Sequence, residues 1–322
     1  MRIRLVHRRW PGGVPRLKTT VAYASYRTIA RFGTPEDGTV GGLWFNKVMS
    51  LLNERLRKEH RIRLDLPHCW YFWGDRVVLE EMPGELQLET PDRLDGMHSQ
   101  FRWVGARPKD PPPRERKAIN SLVDSIRSLY PQSDASMWRI VQDVYRYAPY
   151  DFQRSYASFR TDFFETVEAG LVKLKSTILK NGLNKAFREF PHDDFPELAV
   201  EAATVRLIAD AMLAEGSARA QRDAMAVAKD FWEMFCRVLI TTPRGHDNLS
   251  VGIIEKWKQS AITQLPEYDR GLHHEVDIAL ARYNLRNISK DTVVRAFLQP
   301  EDWGKGTEDS SVDVNLSAYS RG

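Results

Sequence analysis

Cysteine is nearly absent from this chain of 322 residues, which holds only Cys69 and Cys236. Two distant thiols make no disulfide framework, and without any Cys-x-x-Cys spacing there is no zinc ribbon or dithiol redox motif. A reducing, cytoplasmic setting is the one expected. No run approaches the roughly 18 apolar residues that span a bilayer, so no membrane association is expected. A secretory signal is excluded because no apolar core with a cleavage site follows the basic start. A transit peptide is disfavoured because Pro11, Gly12, Gly13 and Pro15 would break its amphipathic helix. Also missing are the Gly-x-Ser-x-Gly elbow, the His-Glu-x-x-His zinc motif and a phosphate loop. Gly38–Gly42 precedes a helical pattern, but no Gly-Lys-Ser/Thr follows it.

What is present suffices for a substantial core. Hydrophobic residues make up 42% and charged residues 28%, values of a globular chain of one large or two ordinary domains. The net charge of +4 is unevenly placed. Residues 1–20 carry six basic side chains (Arg2, Arg4, Arg8, Arg9, Arg16, Lys18) and no acid, which leaves the rest at −2. A basic arm over residues 1–18 is thus set against a nearly neutral body.

Apolar periodicity near 3.6 dominates, and the fold class expected is mainly α. Helices are predicted over 19–32, ended by Gly33 and Pro35, and over 43–60, with Trp44, Val48, Leu51, Leu52 and Leu56 on one face. The alternation at 61–66 predicts a short strand. Residues 70–79 predict a hairpin turning at Gly74-Asp75. Together, 19–82 would be a small helix-plus-hairpin module, winged-helix-like or α+β. Residues 83–113, with the run Pro111–Pro113, predict a linker or loop and the domain boundary. A helical array over 114–303 would follow. It includes one long helix at 151–180 stopped by Asn181-Gly182, and helices at 196–215, 218–241, 249–264, 270–283 and 290–298. Ser217 and Ser289 stand as N-caps and Gly216 as a stop. The polar segment 304–322 predicts a disordered tail.

Few residues carry chemistry. His273 and Asp277 are one helical turn apart and could be two metal ligands, with His192 or Asp194 joining them in the fold. That is the pattern of a metal-dependent hydrolase or nuclease. The plainer reading is a solvated helix face, and no cofactor is expected. Asp193, Asp194 and the 244–248 loop read as capping and turn residues. The Tyr145–Arg154 stretch reads as a packed proline corner. Nucleic-acid contacts would come from Arg2, Arg4, Arg8 and Arg9, and from the polar face Lys47, Arg55, Arg57 and Lys58. With a body near −2, the expected binding is weak and salt-sensitive.

Aromatic residues are concentrated in the first module. Trp44, Phe45, Trp70, Tyr71, Phe72 and Trp73, with Arg76 beside them, fall within about thirty positions. Residues 70–73 are consecutive and cannot all face one way. They are the candidate partner-binding residues, with an internal seam as the alternative. The stretch Phe45–Val78 resembles the antitoxin-type domain called Panacea, or SocA-like, through Phe45–Leu52, Trp70-Tyr71, Gly74 and Val77-Val78. Asp75 and Arg76 stand where that family has a proline. The resemblance implies a helical partner-binding protein acting in toxin neutralisation or phage defence. The function expected is therefore a non-enzymatic protein-binding or regulatory subunit in a hetero-complex or homo-oligomer. A metal-dependent hydrolase and a nucleic-acid-binding regulator are the alternatives.

Overall fold

The computed structural model describes residues 15–89, 99–168 and 176–285. The basic arm residues Arg2, Arg4, Arg8 and Arg9, Ser289, the 290–298 helix and the 304–322 tail lie outside them. The architecture is mainly α with small antiparallel strands, as the periodicity predicts. No helix among the described residues is long and apolar enough to cross a membrane.

The chain divides into two compact units. Unit 1 comprises Met1–Cys69, Asp75–Ile140 and Asp247–Leu249. Unit 2 comprises Trp70–Gly74, Val141–His246 and Ser250–Gly322. The division falls away from residues 83–113, where a linker is expected from the proline content. That segment instead contributes β4 (Leu86–Glu89) and β5 (Gln100–Trp103), which pair antiparallel in a sheet of order β1-β5-β4 with β1 (Val40–Gly41). Pro113 does not stiffen a linker. It occupies the first turn of α3 (Pro113–Leu129), where its missing N–H costs no helical hydrogen bond.

Unit 1 packs this sheet with α1 (Pro15–Phe32), α2 (Gly42–Arg55) and α3. Thr20 bonds Glu115, Tyr23 bonds Asn120, and Arg27 and Arg31 bond Asp124. The numbering rises together on both helices, so α1 and α3 run parallel. Helix α3 therefore belongs with the N-terminal helices, not with the helical array expected from residue 114. The core is apolar: Phe32, Val48, Met49, Leu52, Ile119 and Val123, with Phe45 stacked on Phe101 at 4.5 Å. Helix α2 ends in a π-helical turn, Leu56–His60, closed by Arg61 in the left-handed region (φ 54°). The alternation at 61–66 is real, since Ile62, Leu64 and Leu66 are buried. It forms no strand, because Arg61 and Asp65 (φ 47°) both leave the extended region.

A second sheet has the order β3-β2-β6, from β2 (His68–Tyr71), β3 (Gly74–Val77) and β6 (His246–Asp247). The hairpin expected here is present, but it turns at Phe72-Trp73, two residues before the expected Gly74-Asp75. Gly74 (φ 89°) takes the positive φ that opens the return strand.

Unit 2 is helical: the later part of α4 (Asp134–Tyr145), α5 (Asp151–Glu168), α6 (Ser176–Arg188), α7 (Ala199–Glu215), α8 (Ala218–Leu239) and α9 (Val251–Arg282). Two boundaries differ from those the sequence suggests. The single helix expected over 151–180 is two helices, α5 and α6, packed side by side. Gly182 does not stop a helix. It lies within α6 beside Phe159 of α5, where an added Cβ would make ordinary van der Waals contact at 3.4 Å. Conversely, 249–264 and 270–283 form one helix, α9, with Pro266 inside it. The cap residues behave as expected: Gly216 is left-handed (φ 80°), and the Ser217 hydroxyl accepts from the Ala220 N–H.

The core of unit 2 is aromatic. Phe152 is fully buried, with ring centroids of Phe187, Phe190, Phe231, Trp232 and Phe235 between 5.0 and 6.1 Å away. Tyr156, one turn along α5, stacks on Trp232 at 4.5 Å and 7°. Phe152→Ala removes the ring that all these neighbours share. We expect a loss of about 3–5 kcal/mol of stability, seen as a lower denaturant midpoint in equilibrium unfolding of the full chain.

Candidate functional site

In unit 1, polar chemistry concentrates where α2 meets the two strands of the hairpin. Helix α2 places Asn46, Lys47, Ser50 and Glu54 on neighbouring turns, while β3 brings Asp75. Asp75 is 3% exposed and Lys47 1%. The Asp75 carboxylate is held at both oxygens: Oδ1 lies 2.6 Å from His68 Nδ1, and Oδ2 accepts from Ser50 Oγ at 2.6 Å. Lys47 Nζ donates to the Asp75 carbonyl at 2.6 Å, and Asn46 Oδ1 accepts from the Val77 N–H at 3.0 Å. Burial opposes a charge on His68, but Asp75, Asp247 and Glu54 outweigh it and raise its pKa above the ordinary value. Cys69, fully buried beside Arg76, is pushed up by burial.

Two side chains, Ser50 and His68, meet one carboxylate here, a set that resembles a catalytic triad in composition but not in connection. In a triad the nucleophile bonds the imidazole. Here Ser50 and His68 each bond Asp75, so Ser50 is not placed to pass its proton to His68. The arrangement orders the hairpin on α2.

In unit 2 the tip of the hairpin is held by one carbonyl. Phe72 O accepts from Trp232 Nε1 at 3.0 Å, Tyr145 Oη at 3.3 Å and Arg160 Nη1 at 3.3 Å. The Arg160 guanidinium also lies 4.5 Å from the Trp73 ring centroid, and the Arg237 guanidinium 5.5 Å from that of Phe72. Trp70 packs on Tyr145 at 5.9 Å, and Tyr71 stacks on Phe72.

The partner-binding candidates therefore have different surroundings. Phe45 and Trp70 are buried, at 0% and 5% exposure, and are spent on their own units. Trp44 is half-buried near Phe32, and Tyr71, Trp73 and Arg76 are half-buried. Among the nucleic-acid candidates, Lys47 is a correction: it lies in the core and cannot meet a phosphate. Arg55 bonds Glu59 and Ser125, Arg57 bonds Glu54, and Lys58 is exposed. Sequence reasoning passed over Asp75 and His68. The signal available was that His68 and Asp75 flank the apolar run 69–74.

The metal candidates do not converge. Among the described residues, no group of three or more His, Cys, Asp or Glu side chains could hold a metal ion. His273 Nδ1 lies 2.9 Å from the Asp269 carbonyl on its own helix, and Asp194 pairs with Arg244. Glu275, near His273 on α9, acts on Asp230 of α8. Burial first, then Glu233 and Glu275, raises the Asp230 carboxyl to about 6.

Two outcomes follow from these environments. Asp75→Ala strips His68 and Ser50 of their shared acceptor, and breaking such a buried pair should lower stability by about 3 kcal/mol in denaturant titration. The raised Asp230 carboxyl contributes stability in acid that is lost as pH rises through about 6, because the folded form then carries a poorly solvated charge. Asp230→Asn should therefore stabilise the chain at pH 8 by about 1 kcal/mol, a figure discounted for its partial exposure, and should flatten the pH dependence of melting between about pH 4 and 6.

Compared with known proteins, the chain finds no counterpart: no family model, no curated protein and no solved structure matches it.

Proposed function

We propose that this chain is a non-catalytic, protein-binding subunit and that it engages its partner through the first half of α9. The observation that carries the reading is the burial pattern of that helix. Between Val251 and Ser260 no residue is fully buried, although Val251, Ile253, Ile254 and Trp257 are large and apolar. Val251 is 74% exposed and Ile262 65%, while Ala261 is the buried residue of this half. Single exposed apolar residues are ordinary, but two on one helix, with Ile253, Ile254 and Trp257 only half-buried between them, are compatible with a helix that seats in a groove.

The hairpin aromatics support the reading less, since Trp70 is spent within unit 2. The likeness of residues 45–78 to the Panacea domain supplies the class of partner: a toxin or another component of a prokaryotic defence system.

Co-expression of the full chain with the products of neighbouring genes, followed by size-exclusion chromatography with light scattering, tests this. The expected result is a stoichiometric complex that a Val251→Asp/Ile262→Asp variant, unchanged in circular dichroism, fails to form. A complex that survives the double substitution removes α9 as the site, and a chain that binds no neighbour and remains a monomer overturns the reading.

A further inference from the structure

We propose that His68 is a pH-sensitive latch on the base of the β2–β3 hairpin, closed while its imidazole is protonated and loosened when the proton leaves. The geometry is that of a cation sunk among carboxylates. The His68 side chain is 14% exposed, and its Nδ1 sits 2.6 Å from Asp75 Oδ1. Each element packed against it presents an acid: Asp75 on β3, Glu54 on α2 and Asp247 on β6. The nearby cations are engaged elsewhere. Lys47 bonds the Asp75 carbonyl, Arg57 bonds Glu54 and is also drawn by Asp247, and Arg76 lies against the Cys69 thiol. Protonated His68 places its charge directly on the Asp75 carboxylate. Neutral His68 can still donate from Nδ1, but the Coulombic part of the contact is gone, and three acids then face one another with less compensation.

The direction follows from linkage. The folded-state pKa of His68 is raised, so the stability it lends is complete below its unfolded value and is lost as pH rises through the folded value. Each unit of difference between the two amounts to a tenfold change in the opening equilibrium. The latch therefore holds in acid and weakens as the pH rises. That is the reverse of the usual acid-triggered histidine switch, in which a buried neutral imidazole is forced to charge.

Cys69 provides a local reporter, being fully buried and adjacent to His68. Its labelling by a thiol reagent in the full-length protein, located by mass spectrometry and divided by the rate in the unfolded chain at the same pH, gives the protection of the hairpin base. We expect protection to fall by about tenfold or more between pH 6 and 9. His68→Gln should have low protection at pH 6 and a flat profile. Equal pH dependence in wild type and His68→Gln would overturn the proposal. If the variant does not fold, the imidazole of the wild-type protein decides by NMR titration. A midpoint above the usual histidine value of about 6.5 supports the latch, and one at or below it overturns the latch.

Discussion

A carboxylate inside a protein has to be met by donors, and Asp75 sets the terms for unit 1. Its burial would be prohibitive without partners on every side. The sequence provides them from two directions: Ser50 from α2 and His68 from β2 take its oxygens, while Lys47 from α2 takes its carbonyl. A lysine that is itself buried is costly, so the Lys47–Asp75 neighbourhood exists only as a set, and removing one member strands the others. This fixes where the hairpin base meets α2 and hence which residues become the hairpin tip.

At that tip a similar logic runs with an uncharged acceptor. The Phe72 carbonyl, at a two-residue turn, would be left without a ladder partner. It is served instead by an indole, a phenol and a guanidinium from α8, α4 and α5. Tyr145 and Trp232 also take part in the aromatic core, so the groups that satisfy the backbone are those that fill the space around it. Burial raises the Tyr145 hydroxyl far above the ordinary phenol value, which keeps it a neutral donor to the carbonyl.

Much of the helical architecture can be read from periodicity, because each helix buries one face. Gly216 and Ser217 show that caps can be read as well, since their requirements are local. Misreadings occur where a local signal is overridden by the fold. Gly182 reads as a stop although α6 continues through it, and the gap expected between 264 and 270 is spanned by α9. The Pro111–Pro113 run reads as a linker, yet it leads directly into α3. The polar cluster at Asp75 was the least legible part. Nothing in a Gly-Asp-Arg step distinguishes an exposed turn from a buried carboxylate until Lys47 and Ser50, more than twenty residues earlier, are brought against it.

Unit 1 contains Asp247–Leu249, and Asn248 Nδ2 donates to the Leu66 carbonyl. During synthesis that acceptor emerges long before its donor. At roughly 5–20 residues per second, the wait is on the order of ten seconds or more. Throughout this interval the Leu66 carbonyl lacks the Asn248 donor. A chain interleaved in this way cannot finish its first unit and then begin its second. Its first unit closes only once residues 247–249 have been made.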